Sequence, residues 1–290
     1  MKPSRDATSG AAEPPLASVA VPPADDADLE RRFGGLRRLY GDAAYARIRA
    51  AHVVVAGVGG VGSWSAEALA RSGVAALTLI DLDHVAESNV NRQVQALGST
   101  LGQAKVAALA VRIADIHPGC AVTCIEEFVE PGNWPALLPL GPRIDAVVDA
   151  CDDVRAKAVL AAWSLATRTP LVVVGAAGGK RRAHDVRVSD LGAVTHDPML
   201  ASLRQRLRRH HGGARTGAMG VTCVHSSEPV RLPEGACDIE GNLACHGYGS
   251  SVAVTATFGM VAAGCALEFA AFPSTERDDR PAIIEGLPGC

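Results

Sequence analysis

The run His-Val-Val-Val-Ala-Gly-Val-Gly-Gly-Val-Gly-Ser at 52–63 constrains this chain more than any other stretch. A β-branched strand at 52–56 runs straight into a turn carrying Gly57, Gly59, Gly60 and Gly62. A helical pattern follows at 63–72, then a second strand at 76–80 that ends on Asp81. Strand, glycine turn, helix and parallel strand make a βαβ unit of the nucleotide-binding kind. Glycines let the backbone approach phosphate oxygens closely, and the helix N-terminus offers free N–H groups and the positive end of its dipole. Asp81, 19 residues past Gly62, stands where an acid accepts hydrogen bonds from ribose hydroxyls. A glycine pattern alone is weak; between two strands, with the acid at this distance, it is specific.

The next segment selects the nucleotide. Asp81-Leu82-Asp83 leads to Asn89, Arg92 and then Lys105. A dinucleotide-dependent oxidoreductase needs the ribose acid and little charge beyond it. Arg92 can instead fork onto phosphate oxygens and Lys105 can add a point charge, which suits a triphosphate. Any one of these cations alone reads as solvated surface charge; their combination with the glycine turn favours ATP.

The remaining pattern predicts an α/β fold. It is a Rossmann-like, mostly parallel sheet with helices on both faces, plus an antiparallel extension and a C-terminal helix. The expected elements are an entry helix at 41–50, a helix at 101–116, a strand at 121–128 and a short helix at 132–139. A strand at 144–150, a helix at 153–167 and strands at 171–176 and 184–188 follow, the last turning antiparallel. Asp152 falls just past a strand end, where open parallel sheets hold their ligands. Aromatics are only 4% of the chain, so Val, Ala and Leu must build the core.

Residues 1–28 are rich in Ala, Pro, Ser and Asp without apolar period and read as a disordered tail. They contain no apolar run of the secretory kind. Residues 273–290 read as a second flexible tail, leaving 29–272 as one ATP-binding domain. The segment 241–267 has no Asp, Glu, Lys or Arg. Its Asn242, His246 and hydroxylated residues favour a buried helix near 250–269 over a stable membrane span, with peripheral membrane association the weaker alternative. The eight cysteines form no Cys-x-x-Cys pair, so no structural zinc is expected, and their scatter fits a reducing cytoplasm.

A net charge of −3 gives no global attraction to nucleic acid. Locally, Arg204, Arg206, Arg208 and Arg209 lie on a helix expected at about 198–211, with Lys180, Arg181 and Arg182 in an earlier loop. They read either as a solvated face or as phosphate-backbone contacts to RNA. Cys223 with His225 two residues on invites a thiolate reading, although a bystander cysteine is commoner.

The motifs Gly57-x-Gly59-Gly60-x-Gly62, Asp81-x-Asp83, Asn89-x-x-Arg92-Gln93, Gly102-x-x-Lys105 and Asp149-Ala150-Cys151-Asp152 resemble the ubiquitin-activating-enzyme-like (ThiF/MoeB) superfamily. Within it, Arg32-Phe33-Gly34-Gly35, Arg38-Leu39-Tyr40-Gly41, Gly62-Ser63-Trp64 and Thr255-Ala256-Thr257-Phe258-Gly259 look like the tRNA threonylcarbamoyladenosine dehydratase branch. The resemblance spans about 30–270. It implies ATP-dependent dehydration, a cyclisation of threonylcarbamoyladenosine in tRNA through an adenylated carboxylate. It also implies ribose on Asp81, triphosphate on Arg92 and Lys105, and Mg2+ on Asp152. Arg38 would reach a partner subunit's site in a homodimer. A cysteine-desulfurase sulfur-transfer system is a further partner that this branch brings into consideration. The alternative on the same fold is an adenylating activator of a ubiquitin-like sulfur carrier, disfavoured by the missing Cys-x-x-Cys pairs. The dehydratase chemistry needs no enzyme nucleophile, because the substrate's own ureido group lies beside the activated carbonyl.

Overall fold

A computed structural model describes residues 28–138, 143–230 and 248–273. Apart from Asp28 and Pro273, the two expected tails lie outside the described residues, as do Cys237, Cys245, Cys290 and the first part of the charge-free segment.

The core is a seven-stranded sheet. Its strands are β1 (His52–Ala56), β2 (Ala76–Ile80), β3 (Ala121–Ile125), β4 (Ala146–Asp149), β5 (Leu171–Val174), β6 (Val186–Asp190) and β7 (Thr222–Ser226). Their order is β3-β2-β1-β4-β5-β7-β6, parallel except for the β6–β7 edge pair. The expected α/β class with an antiparallel extension is the observed one. Because β4 returns to the far side of β1 after β3, the strand order reverses between β1 and β4. In open sheets, ligands sit beyond the carboxyl ends of the strands at such a point.

Alternate residues of each strand feed two cores. Val53, Val55, Leu77, Leu79 and Val148 face the helices α3 (Asp42–Ala50), α4 (Gly62–Arg71), α5 (Lys105–Ile116) and α8 (Val252–Ala271). Val54, Ala56, Val147 and Val173 face α6 (Val154–Thr167) and α7 (Pro198–His210). This double burial explains the unbroken apolar strands, since no strand at the centre shows a face to water.

Two short helices, α1 (Leu29–Phe33) and α2 (Gly35–Tyr40), precede the entry helix. The Phe33 ring lies 4.7 Å from the His117 imidazole, and Arg49 stacks on Phe33. Burial, with Arg49 beside it, pushes His117 down to about 4, so it is a neutral packing partner at the end of α5.

The strands expected at 144–150, 171–176 and 184–188 lie at Ala146–Asp149, Leu171–Val174 and Val186–Asp190, and three other expectations move further. The helix expected at 132–139 is absent over its described part, 132–138, which forms turns. Pro135 cannot donate to a helix there, and Asn133 binds the Glu130 N–H and the Phe128 carbonyl, an Asx-type competitor. β3 stops at Ile125, three residues early, because the chain leaves the sheet toward the ligand edge. α5 begins at Lys105 and not at 101, after Gly102 takes φ +81°.

α8 is long and apolar enough to cross a membrane by length and composition. In the structure it packs along α4 and the sheet, with Val254, Phe258, Ala262 and Ala266 fully buried. Gly259 permits this contact, since a Cβ there would lie 2.8 Å from Trp64 Cβ. Ser65 Oγ donates to the Gly259 carbonyl at 3.0 Å. Phe258→Ala is expected to lower unfolding free energy by about 3–5 kcal/mol, the range for emptying a core aromatic site. Urea titration in detergent-free buffer checks this, and an unchanged midpoint would place α8 outside the core.

Candidate functional site

Two chain reversals meet at the switch point. After β1 the chain turns through Gly57 at φ +82°, and a Cβ there would stand 2.9 Å from the Ala150 carbonyl oxygen. Ala150 is held in place because its N–H donates to the Ala56 carbonyl at 2.8 Å. Gly60 has another reason to be bare: a Cβ would press on the Arg92 side-chain stem at 3.3 Å. Gly62 opens α4 directly over the Gly57 carbonyl, behind the cavity wall.

Asp81 ties the turn to β2. Its Oδ2 accepts from the Val58 N–H at 2.8 Å and its Oδ1 from the Asp83 N–H at 2.9 Å. Burial raises the Asp81 carboxyl above its ordinary value, while Lys105 and the two N–H donors pull it back. Lys105 Nζ lies 2.6 Å from Asp83 Oδ2; the lysine is buried and the Asp83 carboxylate is half exposed. Asp83 is therefore the more open of the two acids.

Arg92 arches over the turn. Its Nη1 donates to the Ser88 carbonyl at 2.8 Å and to Asn91 Oδ1 at 3.0 Å, and its own carbonyl accepts from Trp64 Nε1 at 2.9 Å. Asn89 Oδ1 accepts from the Ala86 N–H and shapes the bend leading to Arg92. Beneath the turn, Gln95 Nε2 donates to the Val58 carbonyl at 2.9 Å.

On the other wall, the turn after β4 carries Cys151 and Asp152. Asp153 caps α6 by accepting from the Arg155 N–H at 2.6 Å. Asp152 is exposed at the cavity rim. Below it, Lys157 Nζ reaches Asp149 Oδ1 at 3.1 Å, both side chains being wholly buried.

Gly57, Gly59, Gly60, Asp81, Asp83, Asn89, Arg92, Lys105 and Asp152 line one cavity of about 520 Å³. Arg38 is exposed on α2 and lines no part of it. The arginines of α7 are also elsewhere. Arg204 donates to the Leu191 and Val194 carbonyls and Arg208 to the Ala214 carbonyl, while Arg209 is exposed. In the loop before them, Lys180 is buried with its Nζ on the Glu228 carbonyl at 2.7 Å, so it offers no surface charge. Cys223 is fully buried and burial pushes its thiol far up, while His225 pairs with Ser189 Oγ at 3.1 Å. A thiolate nucleophile needs access and a lowered pKa, and Cys223 has neither.

The cavity takes in Gln93 of the Asn89-x-x-Arg92-Gln93 motif, and also residues that the motif reading missed: Glu127, Phe128, the stretch from Gly175 to Gly178, and Tyr248. Glu127 and Phe128 follow β3 and Gly175 follows β5, so the rule that placed Asp152 at a strand's carboxyl end applies to them too. Tyr248 had no such signal.

The ThiF family matches residues 33–282 of the chain. The chain belongs to the ThiF family. The tRNA threonylcarbamoyladenosine dehydratase of Escherichia coli K12 is 42% identical over 250 residues, 82% of this chain and 92% of that protein. The crystal structure of the E. coli enzyme in complex with ATP aligns with TM-score 0.75 and 42% identity, covering 83% of this chain and 95% of that one. The molybdopterin-synthase adenylyltransferase of E. coli is 33% identical over 125 residues, 43% of this chain and 49% of that protein. The similarity to the dehydratase thus extends across the fold, and that to the adenylyltransferase across less than half of it.

Two of the cavity glycines should respond differently to one methyl group. Gly57→Ala is expected to destabilise by about 1–3 kcal/mol, because it adds a left-handed backbone penalty to a backbone clash. Gly59→Ala should cost little, since only the end of the Gln93 side chain lies within 4.0 Å of the added carbon. Urea midpoints of the two variants, measured side by side, check the contrast.

Proposed function

We propose that the chain is an ATP-dependent tRNA threonylcarbamoyladenosine dehydratase. The carrying observation is the single cavity in which the glycine turn, Asp81, Asp83, Arg92, Lys105 and Asp152 converge. In this reading the turn and the start of α4 receive phosphates, and Asp83 with Asp81 receives the ribose hydroxyls. Arg92 and Lys105 neutralise triphosphate charge. The substrate's threonyl carboxylate attacks the α-phosphorus and pyrophosphate leaves, giving an acyl-adenylate. The neighbouring ureido group then closes on the activated carbonyl and AMP leaves with the former carboxylate oxygen. The protein contributes charge neutralisation and in-line geometry, not a covalent intermediate.

Asp152 suits Mg2+. Among the described residues no group of three or more His, Cys, Asp or Glu could cage a metal ion. Mg2+ needs no such cage, because it keeps waters and takes one or two carboxylates alongside substrate phosphates. Bound there, it would offset charge at the phosphates. Exposed Val252 and Met260 on α8 offer apolar surface for a homodimer, and exposed Leu39 on α2, next to Arg38, offers apolar surface of its own. A cytoplasmic location accords with ATP and tRNA as substrates.

The test is direct. Purified protein with ATP, Mg2+ and threonylcarbamoyl-modified tRNA should yield the nucleoside lighter by one water, read by mass spectrometry. Asp152→Ala should cut turnover at least tenfold, and Arg92→Ala should weaken ATP binding by about 1–3 kcal/mol, the worth of a charge-assisted contact. Both variants should melt cooperatively, as their side chains end at a solvent-facing cavity. Unchanged nucleoside mass with the wild-type protein would reject the reading.

The basic helix is better tested at Arg206 and Arg209 than at Arg204 and Arg208, whose guanidiniums are engaged by the chain's own carbonyls. Arg206→Ala/Arg209→Ala should weaken tRNA binding and reduce its salt slope by about two phosphate contacts, with ATP affinity unchanged. Wild-type affinity and slope would make α7 a solvated face only.

A further inference from the structure

We propose that the buried Asp149–Lys157 pair is a positioning device that sets the direction of the Asp152 carboxylate. This rests on the ATP-site reading above. Lys157 sits one turn into α6 and reaches back to the last residue of β4, with Nζ 3.1 Å from Asp149 Oδ1 and 3.4 Å from the Asp149 carbonyl. Both side chains have no exposure at all. Asp149 Oδ1 also accepts from the Cys151 N–H at 3.1 Å, and its Oδ2 has no partner.

Such a pair is a poor source of stability. Removing two charges from water offsets most of their attraction, and well-packed apolar residues of similar volume usually hold a fold as well or better. An orphaned buried carboxylate oxygen makes the balance worse. The geometry supplies another role. The turn from β4 into α6 is clamped at three of its four residues. The Ala150 N–H is on β1, the Cys151 N–H is on Asp149, and the Asp153 side chain caps the helix. Asp152 is the remaining residue, and its side chain is at the cavity rim. The Lys157 ammonium joins the two ends of this turn, strand and helix. It thereby fixes the plane from which Asp152 projects. Partners lying behind a metal ligand commonly change metal affinity or activity by 10–100-fold.

The test uses the full chain and compares wild type with Asp149→Leu/Lys157→Met, a pair of near-isosteric apolar replacements. Melting is followed by circular dichroism, and ATP affinity by calorimetry with Mg2+ and with EDTA. The expected result is a cooperative melt close to wild type, ATP affinity in EDTA within about twofold of wild type, and loss of about tenfold of the tightening that Mg2+ confers. Turnover on modified tRNA should fall with KM for tRNA unchanged. Wild-type Mg2+ tightening in the double variant would overturn the proposal. Equal weakening with and without Mg2+ would overturn it too, since the pair would then shape the whole pocket. If the double variant does not melt cooperatively, Asp149→Asn decides. A fall of threefold or more in Mg2+ tightening supports positioning, and the wild-type value rejects it. A wild-type protein that binds no ATP under either condition would sink the nucleotide reading and this proposal together, a result distinct from a defect confined to the variants.

Discussion

The close approach of two strand exits governs this structure. Ala150 and Gly57 come from strands that are neighbours in the sheet but distant in sequence. The Ala150 carbonyl occupies the place where any side chain at 57 would stand. The contact is made of backbone, so it has almost no tolerance. It sets the height of the glycine turn above the sheet and, through the next two residues, the position of Asp152. Asp81 secures the same turn from the opposite side through the Val58 N–H. The cavity between these fixtures is formed by backbone geometry first, and the charged side chains then line it.

That order explains what was legible in the sequence. Glycine, β-branched runs and acids at strand ends report backbone requirements, and backbone requirements are local. β1, β2 and α6 fall within a residue of their expected places, and nine expected site residues line one cavity. What escaped was set by distant neighbours. Asp81 reads as a ribose ligand by spacing, yet both of its oxygens also hold main-chain N–H groups. Phe128 and Tyr248 reach the cavity from loops without a motif. The helix expected at 132–139 gives way to turns over its described part, where Pro135 has no N–H and the Asn133 side chain binds the main chain at Glu130 and Phe128.

Charge was the least readable property. Four arginines within six residues suggest a patch, because composition counts charges without their partners. In the fold, Arg204 and Arg208 serve as braces, their guanidiniums donating to the carbonyls of Leu191, Val194 and Ala214. Lys180 is drawn inside altogether. Lys157 is the extreme case: a cation in the first turn of an alanine-rich helix, wholly buried, whose meaning depends on an acid eight residues earlier.

The apolar helix α8 carries one more implication. Its Gly259 rests against Trp64, and the Trp64 indole holds the main chain of Arg92. An uninterrupted line of contact therefore runs from the most apolar helix of the molecule to the cation above the glycine turn. For α8, lipid and the protein body are competing solvents. The packing of α8 is one of the supports that seat Trp64, and through its indole the main chain of Arg92.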